Sequence, residues 1–332
     1  MTILITGAAG FIGFHTAKRC CEEGLEVVGI DNLNDYYSVE LKRARLAQLA
    51  VFPNFRFLAM DIVDKGALLE LFEANAFTEV IHLAAQAGVR YSIDNPDAYA
   101  ESNLIGFLNV LEACRTFKPK HFIYASSSSV YGLNGKLPFS VDDRADSPIS
   151  FYAATKRANE LMAHSYAHLY GIQSSGLRFF TVYGPWGRPD MALFKFTQAI
   201  LNNQPIDIYN DGQMSRDFTY IDDIVEGIVR LRLKPPSSQS NPEAGSQQST
   251  APSKVYNIGR GKPVKLLDFI DCLEAAIGVK AQRNYLPMQS GDVVQTWADV
   301  SALAEWVGFD PQQSVETGVA EFVKWYRDYY QV

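Results

Sequence analysis

The chain has 332 residues, of which 47% are hydrophobic and 20% are charged, and its formal net charge at pH 7 is −7. Single hydrophobic cores stop growing at roughly 250–300 residues, so we predict two domains. The acidic charge balance excludes the basic surface that a nucleic acid partner requires, and no apolar run reaches the ~18 residues of a membrane-spanning helix.

The N-terminal segment and the cysteines indicate the compartment. Met1 to Thr6 has no basic leader before an apolar stretch, so we expect no signal peptide and a cytoplasmic protein. The cysteines have neither metal-ligand spacing nor the pattern of a disulfide framework. We therefore expect no metal site, and we expect reduced thiols inside helices at Cys20, Cys21, Cys114 and Cys272.

The first predicted elements are a strand from Thr2 to Thr6, a helix from Phe14 to Glu23, and a second strand from Leu25 to Ile30. The turn after the first strand carries glycines at a spacing of three: Gly7, Gly10 and Gly13. Glycines let the backbone turn tightly and approach a pyrophosphate, whose charge is met by amides at the helix N-terminus. The alternative is a glycine-containing turn of any parallel α/β protein, because the strict G-x-G-x-x-G pattern is absent.

The second strand ends at Asp31, where an acid would bond the ribose hydroxyls of an adenosine. Its charge would repel a ribose phosphate, so NAD is favoured over NADP. A polar and aromatic loop from Asn32 to Tyr37 follows, then a basic helix from Ser38 to Ala50 and a strand from Phe55 to Met60. Asp61 and Ile62 come next, and they either bracket an adenine ring or form a helix cap.

An apolar strand from Val80 to Ala85 ends in small residues that would let a cofactor approach the backbone closely. We expect His82 to be a core histidine bonded to the main chain. In the loop that follows, Arg90 is either a surface charge or an anion clamp. A helix from Ala98 to Phe117 would bring Asn103 inward.

A strand from His121 to Ala125 runs into four serines, Ser126 to Ser129. In a doubly wound sheet, ligands bind at the carboxyl ends of strands, so these hydroxyls arrive at the same edge as the glycine turn. Tyr152 and Lys156 lie four residues apart and would share one face of a helix. An adjacent cation lowers the pKa of a phenol from ~10 and brings it within range of a general base. The spacing by itself is common on amphipathic helices.

Together these motifs resemble those of the extended short-chain dehydrogenase/reductases, specifically the nucleotide-sugar epimerases and dehydratases. They are Gly7-x-x-Gly10-x-x-Gly13, Asp31, the block from Ser127 to Gly132, and Tyr152-x-x-x-Lys156. The resemblance covers nearly the whole chain. It implies a Rossmann-type doubly wound parallel sheet in residues 1–180, and a smaller α/β substrate domain that lies mainly in residues 181–332, with segments crossing back.

The resemblance also implies roles for individual residues. Tyr152 is the base, Lys156 holds the nicotinamide ribose, Ser127 is the catalytic hydroxyl 25 residues before the tyrosine, and Ser128 assists at the sugar. The expected contacts of a tightly held NAD are Gly7, Gly10, Phe11, Ile12, Gly13, Asp31, Asn32, Asn34, Asp61, Ile62, Leu83, Ala84, Ala85, Ala87, Asn103, Tyr152, Lys156 and Phe180.

Substrate residues follow from the second half of the chain. The resemblance places Phe180 near the nicotinamide, Thr181 at the diphosphate and Tyr209 near a uracil ring. It places Arg216 on the diphosphate, to which a planar guanidinium is suited. The alternative for Arg216 is a salt bridge with Asp217 or Asp222.

The peptide from Pro185 to Ala192 looks like that of the UDP-glucuronate 4-epimerase subgroup, as do Asn32 to Tyr37 and Ala87 to Ser92. A glucuronate carboxylate calls for a positive fork or hydroxyls, which Arg188 and Thr181 with the serines would supply. UDP-galactose 4-epimerases carry an arginine near the position of Gly291-Asp292. This chain has Gln289 there, so the diphosphate would rest on Arg216 and Arg90. The expected substrate contacts are Arg90, Ser127, Ser128, Thr181, Arg188, Tyr209, Arg216, Gln289 and Asp292.

The resulting hypothesis is NAD-dependent 4-epimerisation of UDP-glucuronate through a 4-keto sugar. The alternatives are a UDP-glucose or UDP-N-acetylglucosamine 4-epimerase, a UDP-glucuronate decarboxylase, and a catalytically inactive NAD-sensing regulator. A decarboxylase would carry a glutamate soon after Ser127, and a regulator would be expected to lose Tyr152 or Lys156.

The family commonly forms homodimers, here through helices near Ala98 to Phe117 and Phe151 to Tyr170. Residues 235–253 are rich in Pro, Ser and Gln and predict a mobile surface loop. After it we predict a strand from Val255 to Gly259, a helix through Ala276 and another from Gln312 to Tyr330.

Overall fold

A computed structural model of the chain describes residues 1–238, 250–289 and 291–332. The loop predicted at 235–253 falls mainly on residues 239–249, which lie outside the described residues. Among the residues described, no helix combines the length and the apolar character needed to cross a bilayer.

The strands of the described chain are β1 (Thr2–Thr6), β2 (Glu26–Asp31), β3 (Phe55–Ala59), β4 (Phe77–His82), β5 (His121–Ser127), β6 (Ser174–Phe179), β7 (Thr181–Tyr183), β8 (Ile206–Tyr209), β9 (Ser215–Arg216), β10 (Phe218–Tyr220), β11 (Ser253–Ile258), β12 (Val264–Lys265) and β13 (Arg283–Leu286). The helices are α1 (Phe11–Glu22), α2 (Val39–Leu49), α3 (Lys65–Glu73), α4 (Tyr91–Asp94), α5 (Pro96–Tyr99), α6 (Phe107–Phe117), α7 (Phe151–Tyr170), α8 (Ala192–Leu201), α9 (Ile221–Arg232), α10 (Leu266–Ile277), α11 (Ser301–Val307) and α12 (Val315–Tyr330).

Seven parallel strands form the main sheet in the order β11-β6-β5-β4-β1-β2-β3. From β1 the chain proceeds through β2 and β3 on one side, and through β4, β5 and β6 on the other. The order therefore reverses between β1 and β4, which is the switch point where doubly wound sheets bind their ligands. The predicted Rossmann-type sheet is confirmed.

Both faces of the sheet are buried. Neighbouring residues of a strand point to opposite sides, so consecutive residues of one strand enter different cores. Ile3 and Ile5 of β1 pack in one core with Phe14 of α1. Leu4, between them, packs in a second core with Leu68 of α3 and with residues of α6. Helices on both faces leave the carboxyl edge of the sheet as its open side.

The part of the chain after residue 180 forms three two-stranded sheets, which pair β10 with β7, β12 with β9, and β13 with β8. Strand β11 returns to the edge of the main sheet beside β6. The division into domains at residue 180 stays a prediction.

Two predicted helices differ from the observed ones. Helix α1 begins at Phe11, three residues before the predicted start, because the glycine turn leads directly into it. The helix predicted from Ala98 to Phe117 contains a π-helical segment, Ala100–Gly106, between α5 and α6. The predicted cysteine environment is confirmed, since all four thiols are free and lie in α1, α6 and α10.

Candidate active site

A cavity of about 800 Å³ opens along the carboxyl edge of the sheet, from the glycine turn to the smaller sheets of the second half. This volume lies in the range of small-molecule sites. All of the predicted site residues except Asn103 and Gln289 line it. The structure therefore brings together residues that are nearly 300 positions apart in the chain.

The glycine turn fits a pyrophosphate. Gly7 has a φ of 73°, and a Cβ there would lie 2.8 Å from the amide nitrogen of Ala84. A Cβ at Gly13 would lie 2.0 Å from the carbonyl oxygen of Gly7. No side chain caps the first turn of α1, whose residues Phe11 to Gly13 line the cavity. Uncapped amides at a helix N-terminus attract an anion such as the pyrophosphate of a dinucleotide.

Asp31 closes the other side of this turn. Its carboxylate accepts hydrogen bonds from the amides of Ala9 (3.2 Å) and Leu33 (2.9 Å). Burial raises the pKa of Asp31, and these bonds and the charge of Lys42 oppose the rise. Lys42 lines the cavity and donates to the carbonyl oxygen of Asn34 at 2.6 Å. The sequence marked this helix as basic but did not single out Lys42.

The predicted adenine contact Asp61 is held by a hydrogen bond, because Asn32 Nδ2 donates to Asp61 Oδ2 at 2.8 Å. Both residues line the cavity. Asn103 does not line it. Asn103 belongs to the π-helical segment. Its Nδ2 donates to the carbonyl oxygen of Gln86 (3.0 Å) and to Thr155 Oγ1 (3.1 Å), and so links the loop after β4 to helix α7.

His82 is a core residue, as predicted, but its partner is a side chain and not the main chain. Its Nδ1 lies 2.8 Å from Thr6 Oγ1, which also accepts a hydrogen bond from the Ala84 amide. Burial lowers the pKa of His82 to about 3, so the ring is neutral at physiological pH. Its place beneath the cavity wall gives it no access to a substrate.

Tyr152, Lys156 and Ser127 face the cavity from two adjacent elements. Helix α7 is capped by the Ser150 side chain, which accepts from the Ala153 amide and fixes the start of the helix beside the end of β5. Lys156 Nζ donates to the carbonyl oxygen of Ala125 in β5 at 3.0 Å. The predicted helical face is therefore observed.

The electrostatics of the phenol differ from the expectation. Burial raises the pKa of Tyr152, while the interaction with the Ser127 hydroxyl and the charge of Arg188 oppose the rise. Burial also lowers the pKa of Lys156 from 10.5 to about 8. The predicted lowering of the tyrosine pKa by Lys156 is thus wrong for this structure. The ammonium is held at the strand end, and the cation that favours ionisation of the phenol comes from the second half of the chain.

A buried ion pair fixes the serine run. Ser126 Oγ donates to Glu160 Oε1 at 2.6 Å, and Glu160 accepts two further hydrogen bonds of 2.8 Å from Arg178. Ser127 Oγ in turn donates to Ser129 Oγ at 3.1 Å. Sequence reasoning missed Glu160 and Arg178, although a charged residue inside the otherwise buried strand β6 was a signal that a partner must exist.

The Arg188 guanidinium is already paired with a carboxylate. Its Nε donates to Asp190 Oδ1 at 3.0 Å and its Nη2 donates to Asp190 Oδ2, to which the Tyr36 hydroxyl also donates at 3.1 Å. The Arg188 guanidinium also interacts with the Tyr36 hydroxyl, through its charge and a hydrogen bond. Although burial opposes it, the charge of Arg188 holds the pKa of Asp190 below its usual value. Sequence reasoning did not single out Asp190 or Tyr36, since the peptide pattern gave no pairing.

Arg216, Arg90, Asp292 and Tyr209 gather at the far end of the cavity. Arg90 Nη2 forms an ion pair with Asp292 Oδ2 at 2.9 Å, and its guanidinium lies 5.1 Å from the centre of the Tyr209 ring. In the described chain, Arg216 pairs with neither Asp217 nor Asp222; it donates to the carbonyl oxygens of Ser215 (2.9 Å) and Val294 (3.1 Å). Both arginines line the cavity, and the Arg90 side chain is 48% exposed, so Arg90 as a surface charge and Arg90 as an anion clamp both stay predictions.

Gln289 does not reach this group. It is absent from the cavity wall, and its Oε1 is buried without a hydrogen-bond partner in the described chain. The nearby Gly291 and Asp292 do line the cavity. The Asp292 amide donates to the Gln289 carbonyl oxygen at 3.3 Å, and of these two predicted contacts Asp292 is the one that lines the cavity.

The chain is similar to known proteins over nearly its whole length. The model of the NAD dependent epimerase/dehydratase family matches residues 3–259. A Rhizobium meliloti protein named "Probable UDP-glucuronate 4-epimerase" is 53% identical, over 99% of this chain and 98% of its own. UDP-glucuronate 4-epimerase 2 of Arabidopsis thaliana is 48% identical, over 99% of this chain and 76% of its own.

Among solved structures, UDP-glucuronic acid 4-epimerase from Bacillus cereus, in complex with UDP-glucuronic acid and NAD, superposes with a TM-score of 0.89 at 34% identity and covers 99% of this chain and 100% of its own. UDP-glucose 4-epimerase from Thermotoga maritima, with UDP-glucose, gives a TM-score of 0.85 at 30% identity, with coverage of 99% and 100%. The chain therefore belongs to the NAD dependent epimerase/dehydratase family.

Proposed function

We propose that this chain catalyses the 4-epimerisation of UDP-glucuronate to UDP-galacturonate without net redox change. The observation that carries the proposal is the meeting, in one cavity, of Tyr152 and Ser127 with the glycine turn and with Arg188. The first three serve hydride-transfer chemistry, and the arginine suits a carboxylated sugar. The similarity to UDP-glucuronate 4-epimerases over nearly the whole chain supports the choice of sugar.

The protein's own residues would act as follows. Tyr152, with Ser127 as its hydroxyl neighbour, removes the proton from the hydroxyl at sugar carbon 4 and later returns it, while Ser128 assists at the sugar. NAD, when bound, supplies the hydride acceptor and donor for that carbon. Lys156 would hold the nicotinamide ribose, and Phe180 would pack near the ring. Because the proton and the hydride leave and return, the products balance the substrates.

The diphosphate and uracil ends of the substrate would lie against the second half of the chain. Arg216 and Arg90 supply positive charge for the diphosphate, with Thr181 beside it and Tyr209 near the uracil. Holding the substrate by its diphosphate would let the planar 4-keto sugar rotate and present its other face. The hydride would then return with inverted configuration.

The carboxylate on carbon 5 creates a hazard, because a ketone at carbon 4 makes it a β-keto acid that can lose carbon dioxide. We propose that Arg188 and the hydroxyls of Thr181 and the serines hold this carboxylate in an orientation that is poor for that loss. The sequence after Ser127 has no acid close by, which argues against a dedicated decarboxylase.

One experiment tests the proposed function. The protein is mixed with UDP-glucuronate and no added cofactor, and the sugars are assigned by NMR, with Tyr152→Phe as the inactive control. A mixture of UDP-glucuronate and UDP-galacturonate is expected. A UDP-pentose as the main product would make the protein a decarboxylase. No change in UDP-glucuronate, together with conversion of UDP-glucose or UDP-N-acetylglucosamine, would assign a different sugar.

We also propose that the protein is a homodimer. The surfaces of the π-helical segment and α6 expose Ile105 and Leu108, and the neighbouring helix α7 exposes Leu161 and Leu169. Apolar side chains grouped on adjacent helices suit a helical interface between two copies.

The remaining proposals concern location and domain organisation. We place the protein in the cytoplasm, in keeping with its four free cysteines. We also retain the assignment of residues 1–180 to NAD and of most of 181–332 to the UDP-sugar.

A further inference from the structure

Arg45, on α2, is a fully buried cation that no carboxylate pairs with in the described chain; its side chain is 0% exposed. Its guanidinium uses all five of its N–H groups. Nε donates to the Trp186 carbonyl oxygen (3.1 Å), and Nη2 donates to the carbonyl oxygens of Trp186 (2.7 Å) and Gly187 (3.1 Å). Nη1 donates to the Ala9 carbonyl oxygen (2.9 Å) and the Tyr37 hydroxyl (2.8 Å).

This pattern joins two loops that are far apart in the sequence. Ala9 belongs to the glycine turn, and its amide is bonded to Asp31. Trp186 and Gly187 directly precede Arg188. A buried guanidinium is costly unless every donor is satisfied, so the two loops and Arg45 hold one another in place.

His15, on α1, contacts the residue just before the two whose carbonyl oxygens accept from Arg45. Its Nε2 lies 3.0 Å from the Pro185 carbonyl oxygen. Burial lowers the pKa of His15 to about 3, so the ring stays neutral at physiological pH and donates from Nε2. Pro185, Trp186 and Gly187 thus present three consecutive carbonyl oxygens to donors from the first 45 residues. Trp186 has a φ of 60°, a left-handed conformation that a bulky residue keeps only when its surroundings impose it.

We propose that Arg45 is a positioning residue, which anchors the main chain of residues 185–187 to the glycine turn and thereby sets where Arg188 meets the carboxylate of the substrate. The proposal rests on the proposed function in naming that carboxylate. Nothing in it requires Arg45 to touch substrate. It assigns part of the sugar specificity to a residue of the NAD-binding half.

The test compares Arg45→Lys with Arg43→Lys on the same helix. Arg43 is exposed, so its variant is a matched control that keeps the charge. A lysine has three N–H donors on one nitrogen and cannot bridge Ala9 to both Trp186 and Gly187. Calorimetry gives the affinity of each holoenzyme for UDP-glucuronate and for UDP, and absorbance after denaturation gives the NAD content.

For Arg45→Lys we expect the affinity for UDP-glucuronate to fall roughly tenfold, with the affinity for UDP and the NAD content within about twofold of the control. A merely structural role would instead lower both affinities together. Equal losses for the two ligands, or no loss for UDP-glucuronate, would overturn the proposal.

A double variant shows whether Arg45 acts through Arg188. If it does, Arg45→Lys combined with Arg188→Ala binds UDP-glucuronate no more weakly than Arg188→Ala alone. Additive losses would contradict the proposal. If Arg45→Lys does not fold, His15→Leu replaces it. It removes the bond to Pro185 and keeps an apolar side chain against Phe11 and Phe14, and the same selective loss is expected.

Failure of this proposal is distinguishable from failure of the proposed function. The NMR assay of the unaltered protein tests the reaction. The affinities of Arg45→Lys and its control are measured in the Tyr152→Phe background, in which UDP-glucuronate is not converted. A protein that epimerises UDP-glucuronate but shows no selective loss retains its function and refutes the role of Arg45.

Discussion

Lys156 is a residue for which a role in the site costs folding stability, because its charged side chain is buried. The side chain is 3% exposed, and among the residues described its ammonium has one hydrogen bond, to the Ala125 carbonyl oxygen. Burial lowers its pKa to about 8, so at pH 7 the folded protein holds a charge that water would solvate better. We therefore expect the protein to be less stable with this lysine than with an apolar residue of the same shape.

We expect Lys156→Met to abolish epimerisation and to raise the free energy of unfolding at pH 7 by on the order of 2 kcal/mol, with the lost hydrogen bond offsetting part of the gain. The folded pKa lies below the unfolded value of 10.5. Between about pH 8 and pH 10.5 the unfolded chain binds more protons, so the unaltered protein gains stability as the pH rises through that window.

The measurement is thermal denaturation at pH 7 and pH 10, on protein freed of dinucleotide. The gain of the variant should shrink at pH 10. Lys324→Met, at an exposed position of α12, is the control and should shift the midpoint little at either pH. A Lys156→Met midpoint at or below that of the unaltered protein at pH 7 would contradict the expectation.

Arg188 gives a second prediction at this scale. Arg188→Ala removes the cation that lies against Asp190 and within electrostatic reach of Tyr152. We expect weaker binding of UDP-glucuronate, by roughly tenfold, and the release of a UDP-pentose because the carboxylate is no longer held. NMR of the products and calorimetry measure these effects, and exposed Arg144→Ala is the control. If the variant binds UDP-glucuronate normally and yields no pentose, Arg188 does not hold the carboxylate.

At the scale of elements, local signals explain why much of the first half was predictable. Apolar runs of strand length and the glycine turn both act within a few residues of the elements they define. The same is true of the serine caps that the structure shows at Ser38 and Ser150. The π-helical segment was not predictable in this way. Its Asn103 bonds to Gln86 and Thr155, which come from other elements, so the widened turn depends on tertiary contacts.

The glycine turn provides the prediction at this scale. In Gly13→Ala, a Cβ would stand 2.0 Å from the Gly7 carbonyl oxygen, so the turn must open and α1 must shift. We expect bound NAD to fall at least tenfold, measured by the absorbance of dinucleotide released on denaturation. Gly135→Ala is the control, since a Cβ there meets nothing within 4 Å. A Gly13→Ala protein with full NAD content would show that the turn does not hold the pyrophosphate.

At the scale of the whole molecule, the sheet order and the motif order were predictable, but the contacts between distant loops were not. Nothing in the sequence paired Arg188 with Asp190 and Tyr36, or Arg90 with Asp292. The source of the charge that opposes the rise in the Tyr152 pKa was unpredictable for the same reason. A helical spacing identifies the neighbour along the chain, whereas the cation that opposes burial comes from a loop 36 positions later.

The proposed dimer is tested at this scale. Leu161 is 57% exposed on α7, and Leu161→Glu should place a charge in the apolar interface and shift the protein toward a monomer of half the mass. Light scattering after size exclusion measures the mass. Val51→Glu, at a position that is 74% exposed beyond the end of α2, should leave the mass unchanged. An unchanged mass for Leu161→Glu places the interface elsewhere or makes the protein a monomer.

The anchoring of residues 185–187 by Arg45 and His15 matters for anyone recombining this protein with a relative to change its sugar. A chimera joined at residue 180 would take the Arg188 loop from one parent and the donors that hold it from the other. A breakpoint after residue 190 keeps the loop with its anchors and exchanges only the uracil and diphosphate end. The segment that we propose to distinguish a carboxylated sugar would then be inherited with the NAD half.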